Sequence, residues 1–263
     1  MITDMQTVLF HSTIYGPVKS RRLGVSLGIN LMPNDGKLCS FDCLYCEAGF
    51  NAQGPGHEGI PSRESVKRQL SKKLKAMSQA GEPLDVITFS GNGEPTLHPH
   101  FKEVVHDVLM LRDRYYPQAK VSVLSNATMV GRPGVAEALN KVDNNILKLD
   151  SAIPATLRAL NRPVSANVLP EGIIADIKQF AGQCVVQTMM LRGSYEGHVI
   201  DNTTPAEVDA LIEAYRQMAP RQVMLYSIDR PTPATELKTV PREELQPIAD
   251  RIAEATGLTV TVS

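Results

Sequence analysis

The segment Cys39-Ser-Phe-Asp-Cys43-Leu-Tyr-Cys46 places three cysteines within eight residues. Thiolates are soft ligands, and thiolates this close in sequence can converge on one metal centre. The spacing lets one short loop supply three of the four iron corners of a cube-shaped iron–sulfur cluster, leaving the fourth iron open for a substrate. The alternative is a structural zinc site with His57 as fourth ligand. Such sites usually take a second ligand pair further along the chain, and the sequence has none.

The composition limits the class of protein and the cellular compartment in which this loop is expected. The chain has 263 residues and a formal net charge of −1, so no global basic field argues for nonspecific nucleic-acid binding. Of the four cysteines only Cys184 lies outside the loop, which rules out a second cluster with several cysteine ligands. No leader sequence or apolar run of membrane-spanning length is present. An exposed-ligand cluster needs a reducing compartment, so we expect a cytoplasmic protein with no membrane partner.

Short apolar strands alternate with amphipathic helices along the chain. Strands that are apolar on both faces and alternate with helices are typical of a parallel α/β sheet. Six such units predict an incomplete parallel (β/α)6-type barrel, a partial TIM barrel, rather than the full eight. We expect a single domain over 1–263, with an N-terminal arm at 1–22 and a cluster-binding loop at 33–61. The predicted strands cover 23–32, 86–90, 120–125, 146–150, 184–191 and 223–228, with a closing strand at 258–262.

Polar residues follow the predicted strands, where parallel α/β proteins bind their ligands. A glycine-rich turn after the second strand ends in Glu94, whose carboxylate suits an ammonium group. Lys148 and Asp150 lie on the same side of the fourth strand. A charged pair there is costly unless it faces a polar cavity or a ligand, although a buried structural ion pair is the alternative. The candidate ligand-binding residues are Tyr45, Ser90, Gly91, Asn92, Gly93, Glu94, Ser125, Asn126, Lys148 and Asp150.

Other strand residues carry less information. Cys184 stands at the start of its strand and is predicted to be a small buried hydrophobic residue away from the active edge. Gln187 and Met189 share a face of the fifth strand, where methionine is more often core filler than a cofactor wall. The sixth strand ends in Asp229 and Arg230, which brings an acid and a base to the mouth of the barrel.

These motifs together resemble the radical S-adenosylmethionine (SAM) superfamily. The CxxxCxxC loop with Tyr45 before its last cysteine resembles the superfamily signature, and the Ser90–Glu94 turn resembles its "GGE" segment. The segments before the cluster and around Leu-Lys-Leu-Asp and Asp-Arg-Pro are similar to a branch related to wyosine synthases, which act on tRNA. The match spans nearly the whole chain but lacks the N-terminal cysteines that hold an auxiliary cluster in those synthases.

The resemblance implies a [4Fe-4S] cluster held by Cys39, Cys43 and Cys46, with SAM at the open iron. Tyr45 and the Ser90–Glu94 turn would flank SAM and hold its amino group, while Lys148 and Asp150 would contact its carboxylate and ribose. In such enzymes the reduced cluster cleaves SAM, and the 5′-deoxyadenosyl radical abstracts hydrogen from a substrate. The catalytic residues toward the substrate are unknown.

Three functions follow as hypotheses. The first is a modifying enzyme for a small molecule, a nucleotide or tRNA, supplied by a one-electron donor such as flavodoxin or ferredoxin. The second is an activating protein for a glycyl-radical enzyme, and the third is a noncatalytic iron–sulfur binding or sensor protein. Basic residues precede the first predicted strand at Lys19, Arg21 and Arg22. We expect them to form a solubilising or ion-paired turn, to cap the barrel floor, or to fold back toward the mouth as an N-terminal arm.

Overall fold

The computed structural model describes residues 8–20 and 24–263. The strands in this part of the chain are β1 Ile14–Ser20, β2 Gly24–Ile29, β3 Val86–Phe89, β4 Lys120–Ser125, β5 Asn144–Lys148, β6 Val185–Met189, β7 Leu191–Tyr195, β8 His198–Asp201, β9 Gln222–Tyr226, β10 Leu237–Thr239 and β11 Thr259–Val262. Eight of them form one sheet in the order β1-β2-β3-β4-β5-β6-β9-β11. From β2 onward every neighbouring pair in this sheet is parallel.

The sheet is an incomplete barrel. Strands β2, β3, β4, β5, β6 and β9 are the six predicted barrel strands, which confirms the predicted fold class. Strand β11 pairs with β9 in parallel and extends this edge of the sheet. Strand β1 forms the opposite edge. Because the parallel register aligns Ile29 with Phe89 and Phe89 with Val123, the strand ends meet along one edge, where their loops carry the candidate site.

Seven helices connect the strands within the described residues, and two of them have a side-chain cap at the first turn. Ser62 caps α1, since its side chain accepts a hydrogen bond from the N–H of Ser65, and Thr204 caps α6 in the same way. Proline occupies the first turn of α3 to α6, where its missing N–H costs nothing. None of these helices is long and apolar enough to cross a membrane. Their bounds are α1 Arg63–Gln79, α2 Phe101–Tyr115, α3 Pro133–Leu139, α4 Pro154–Asn161, α5 Pro170–Lys178, α6 Pro205–Met218 and α7 Arg242–Thr256.

Strand β1 was not predicted, because residues 1–20 show no clear periodicity. It runs antiparallel to β2 and has an irregular register between Tyr15 and Val18, which breaks the period-2 pattern that marks a strand. The ring of Tyr15 lies directly over Gly28 of β2. A Cβ atom at Gly28 would come within 2.0 Å of that ring, so only glycine fits there. The pairing of β1 with β2 therefore depends on this close approach.

A second, three-stranded sheet was also missed. It has the order β10-β7-β8, and both of its strand pairs are antiparallel. Its strands are three to five residues long and mostly part-exposed, so they lack the apolar runs that identified the barrel strands. Strand β7 begins two residues after β6 ends and carries the chain away from the barrel before α6.

Candidate functional site

The three cysteines lie in the long loop between β2 and α1, and their thiols are free. Burial, together with the charge of Glu94, raises the pKa of Cys39 far above its ordinary value. Burial likewise raises the pKa of Cys43 to about 11. Both thiols are therefore protonated at neutral pH in the protein alone. A metal centre that binds them must displace these protons, so its apparent affinity rises with pH.

Two asparagine side chains donate hydrogen bonds to these sulfur atoms. The Nδ2 of Asn126, just after β4, lies 3.5 Å from the Sγ of Cys39. The Nδ2 of Asn161, at the end of α4, lies 3.4 Å from the Sγ of Cys43. The Asn126 side chain also bonds Ser40 and Thr128, which fixes its orientation. Asn161 was not predicted, because nothing in the sequence marks the end of α4 as part of a site.

A buried cation lies behind the same loop. Lys37 is 3 % exposed, and its ammonium donates to the carbonyl of Gly49 at 2.7 Å. It also pairs with Asp42 at 3.4 Å. Burial alone lowers the pKa of Lys37, but attraction to Cys46, Cys39 and Cys43 in their ionised form outweighs it, so the net pKa is raised. Lys37 was not predicted from the sequence, although it stands two residues before the proposed ligand Cys39.

The cluster loop is docked on the glycine-rich turn after β3. Leu38 and Gly93 form a parallel β-bridge, and a Cβ atom at Gly93 would lie 1.8 Å from the carbonyl oxygen of Leu38. The absence of a side chain at Gly93 therefore allows the backbones of the two loops to approach each other closely. The side chain of Asn92 donates to the carbonyls of Pro33 and Phe10 and accepts from the N–H of Phe10. Within this structure Asn92 thus joins three chain segments.

Glu94 is buried and is held by four hydrogen bonds. Its Oε1 accepts from the backbone and hydroxyl of Thr96, at 3.1 and 2.5 Å, and from the hydroxyl of Ser125 at 2.9 Å. Its Oε2 accepts from the N–H of Asn126 at 2.7 Å. Burial raises the pKa of Glu94, and these bonds oppose the shift. The predicted residues Glu94, Ser125 and Asn126 are thus brought together, with one lone pair of Oε2 left for a further donor.

Lys148 and Asp150 lie on the same side of their segment, and their side chains pair at 3.4 Å. The partners of Asp150 are protein groups: the N–H of Met189 at 2.8 Å, the Nδ2 of Asn161 at 2.6 Å and the hydroxyl of Tyr45. Its side chain has no exposed surface. Asp150 therefore holds other residues of the site from behind and does not line the cavity.

The Lys148 ammonium sits between two aromatic rings. Its Nζ lies 5.0 Å from the ring centroids of Tyr45 and Tyr226 and 2.5 Å from the hydroxyl of Tyr226. Burial alone lowers the pKa of Lys148, but Asp150 and Tyr226 outweigh it and the net pKa is raised. The side chain therefore stays charged near neutral pH, in a cage that favours a cation.

A cavity of about 570 Å³ opens beside these residues, within the size range of small-molecule sites. Of the predicted residues, it is lined by Tyr45, Cys46, Ser90, Gly91 and Lys148. The remaining predicted residues do not line this cavity. Unpredicted parts of the lining include Phe10 and Tyr15, whose rings stack at 3.8 Å, and Tyr226. Lys19 also lines it, whereas Arg21 and Arg22 lie outside the described residues.

The zinc alternative gains no support from the side-chain arrangement. Within residues 8–20 and 24–263, no three His, Cys, Asp or Glu side chains, the three loop cysteines included, form a group that could hold a single metal ion. His57 is exposed, and its backbone N–H is bound to Asp35 at 2.6 Å. The loop thus offers three thiols and amide donors to sulfur, a donor set suited to an iron–sulfur centre.

The family model of the radical SAM superfamily matches residues 34–201, from the cluster loop to the end of β8. The chain belongs to the radical SAM superfamily. Enzymes of this superfamily use a [4Fe-4S] cluster and SAM, which agrees with the predicted cofactors. Among sequence relatives, a UPF0026 protein of Synechocystis is 31% identical over 272 residues, covering 94% of each chain. A UPF0026 protein of Helicobacter pylori is 28% identical, covering 83% of this chain and 67% of the relative.

Solved radical SAM structures share the fold. Streptococcus suis SuiB bound to SAM superposes with a TM-score of 0.62 at 16% identity, covering 90% of this chain. This chain spans about half the length of SuiB, 50%. TYW1 with a lysine–pyruvate adduct bound superposes with a TM-score of 0.58 at 15% identity, covering 87% of this chain and 73% of TYW1. These likenesses show the shared fold.

Proposed function

We propose that this chain is a radical SAM enzyme whose cluster is held by Cys39, Cys43 and Cys46 and whose substrate occupies the adjoining cavity. The observation that carries the proposal is that Cys46, Tyr45 and Lys148 line the same cavity as Tyr15 and Tyr226. A cluster ligand and a substrate-sized space therefore share one wall. When bound, the cluster and SAM supply a one-electron cleavage of the sulfur–C5′ bond, giving an organic radical that abstracts hydrogen.

The chain's own residues bind and orient SAM in this proposal. Ser90 and Gly91 bring backbone to the cavity wall, and Tyr45 adds an aromatic face. Lys148 presents a charged ammonium that suits the SAM carboxylate. Asp150 does not contact SAM in this proposal. It pairs with the Lys148 ammonium and accepts a hydrogen bond from the hydroxyl of Tyr45, which orients both side chains.

Glu94 is the group we propose for the SAM ammonium. Four protein donors fix its carboxylate, and Oε2 keeps one acceptor position. Ser125 and Asn126 then act as positioning residues, since each donates to Glu94. Asn92 and Gly93 hold the turn against the cluster loop, as their backbone and side-chain contacts indicate.

We propose a nucleotide or tRNA as the substrate class, supported by the motif resemblance to the wyosine-related branch. The substrate portion of the cavity is lined by Ser26, Thr88 and Gln187 as well as the stacked Phe10 and Tyr15. Aromatic faces stack on bases, and hydroxyl and amide groups bind their polar edges. Flavodoxin or ferredoxin is the proposed electron donor, and the cytoplasm the proposed location.

The test is anaerobic reconstitution with iron and sulfide, followed by addition of SAM and a one-electron reductant. We expect 5′-deoxyadenosine to form, and to form faster when bulk tRNA that contains the substrate nucleotide is added. Deuterium transferred from labelled tRNA into 5′-deoxyadenosine would identify the abstracted hydrogen. Reduction of a full cluster without SAM cleavage would favour a noncatalytic iron–sulfur protein and refute the enzyme proposal. A stable radical on a partner chain would instead favour a glycyl-radical activating protein.

A further inference from the structure

Two side-chain amides beside the cluster loop donate N–H groups to cysteine sulfurs, although neither amide belongs to the proposed iron ligands. Asn126 and Asn161 each direct an amide N–H at a cysteine sulfur, at 3.5 and 3.4 Å. Both asparagines are buried, at 7 % and 1 % exposure. The two residues come from different elements, the end of β4 and the end of α4, so two separate parts of the fold place a donor on a thiol.

The orientation of the Asn161 amide is fixed by its surroundings. Its Nδ2 donates to the carboxylate of Asp150 at 2.6 Å, so the opposite orientation would turn the amide oxygen toward that carboxylate. The amide oxygen as oriented is buried and has no hydrogen-bond partner within the described residues. A buried oxygen without a partner costs free energy. The protein therefore accepts this cost to keep the two N–H groups on Asp150, on the hydroxyl of Tyr45 at 3.1 Å and on the sulfur of Cys43.

Lys37 adds a full positive charge behind the same loop. Its side chain is 1% exposed, and its ammonium is held behind the loop by the carbonyl of Gly49 at 2.7 Å. The one acid that it pairs with, Asp42, is shared: Asp42 also accepts from the backbone of Asn51 at 2.6 Å and lies 3.6 Å from the guanidinium of Arg162. Asp42 thus faces two cations, Lys37 and Arg162.

We propose that Lys37, Asn126 and Asn161 are positioning residues that raise the reduction potential of the cluster. The inference rests on the proposed ligation by Cys39, Cys43 and Cys46. Reduction adds one electron from an external one-electron donor and no bond is made or broken, so the cluster and its thiolates gain one negative charge. A nearby cation and N–H groups on sulfur stabilise the more negative state and make reduction easier.

A purely structural role is the competing account. Lys37 also ties the loop together, because its ammonium bonds the carbonyl of Gly49. Asn51 offers a matched control for that role. Its Nδ2 donates to the carbonyls of Cys39 and Phe41, at 3.3 and 3.1 Å, and no donation from it to a sulfur atom is observed. Asn51 thus supports the loop backbone while Asn126 and Asn161 act on sulfur.

The experiment measures iron and sulfide content and then the midpoint potential, by a redox titration followed by electron paramagnetic resonance without SAM. The variants are Lys37→Met, Lys37→Arg, Asn126→Ala and Asn161→Leu. Asn51→Ala and Lys72→Met, which changes an exposed lysine of α1, are the controls. For Lys37→Met we expect the reduced-to-oxidised ratio at the parent midpoint to fall about tenfold, which is about 59 mV for one electron. Lys37→Arg should keep most of the parent reduced-to-oxidised ratio.

Each asparagine variant should lower the same ratio about threefold, since a neutral hydrogen bond is weaker than a charge. Both controls should keep the parent potential even where Asn51→Ala binds less iron. Equal potentials in the parent and in all cluster-containing variants would overturn the proposal. So would loss of the cluster in Lys37→Met combined with unchanged potentials in both asparagine variants, because all three residues would then be structural. A parent protein that binds no cluster would instead refute the proposed function.

Discussion

Glu94→Gln tests how far the site is built by internal hydrogen bonds. The carboxylate accepts backbone N–H groups on both oxygens, from Thr96 on Oε1 and from Asn126 on Oε2. A glutamine has only one acceptor oxygen. Whichever way its amide is turned, its NH2 group faces one of these two backbone donors. Neither donor can rotate away, since each belongs to a fixed chain segment.

The magnitude follows from two losses. One charge-assisted hydrogen bond is worth about 1.5–3 kcal/mol, and a buried N–H left without an acceptor costs about 1–3 kcal/mol. Burial raises the pKa of Glu94, so removing its charge recovers part of this sum. We therefore expect Glu94→Gln to lower the free energy of unfolding by about 2–4 kcal/mol.

The assay is urea unfolding of the cluster-free protein at pH 7, analysed as a two-state transition where independent probes coincide. Glu171→Gln is the matched control, because Glu171 is an exposed residue in the first turn of α5. We expect it to change the stability by less than about 0.5 kcal/mol. A Glu94→Gln variant as stable as this control would refute the hydrogen-bond reasoning. If the variant folds and binds a full cluster, weaker SAM binding would separately support the proposed ammonium contact.

Three further changes have defined outcomes. Cys43→Ala should lose the cluster, about four irons per chain, whereas Cys184→Ala should keep it; equal loss in an iron assay would show misassigned ligands. Burial tends to raise the pKa of Asp107, but hydrogen bonds from Arg63 and Lys67 outweigh it, so the net pKa is lowered. Asp107→Asn should therefore cost about 1–2 kcal/mol at pH 7, and urea unfolding should find this difference shrinking as the pH falls below about 4; a pH-independent difference would contradict it. Neither polar side-chain atom of the buried Asn145 has a hydrogen-bond partner within the described residues, so Asn145→Val should raise the free energy of unfolding in urea by about 1–3 kcal/mol, and no increase would contradict this account.

The barrel strands were predictable because most of them are buried on both faces and therefore read as apolar runs; in β9 alternate residues are part-exposed. Strand β4 lies at the predicted residues, and β3 and β9 differ by one or two residues at an end. Strand β1 and the small sheet of β7, β8 and β10 were not predictable in this way. They are held by pairing with a neighbouring strand and by close contacts such as that of Tyr15 with Gly28, and neither leaves a periodic pattern.

The candidate site was predictable in its residue types but not in its connections. Spacing and position after a strand identified Cys39, Glu94 and Lys148. The partners of these residues lie far away in sequence: Asn126 follows Cys39 by 87 residues, and Tyr226 follows Lys148 by 78. Such contacts depend on how the strands are ordered in the sheet. Local sequence patterns report burial and turns, and carry no signal for which distant donor meets a given acceptor.

The contacts of Asp150 show how this matters for function. A carboxylate at the end of a barrel strand suggests a direct ligand contact, yet four protein groups fill its acceptor positions: Tyr45, Asn161, Lys148 and the N–H of Met189. It therefore connects the cavity wall, through Tyr45 and Lys148, with the sulfur of Cys43, through Asn161. We expect a ligand that moves Lys148 to change the charge balance of Asp150. Asp150 is thus a buried acid in contact with both the cavity wall and a donor to a cluster-loop sulfur.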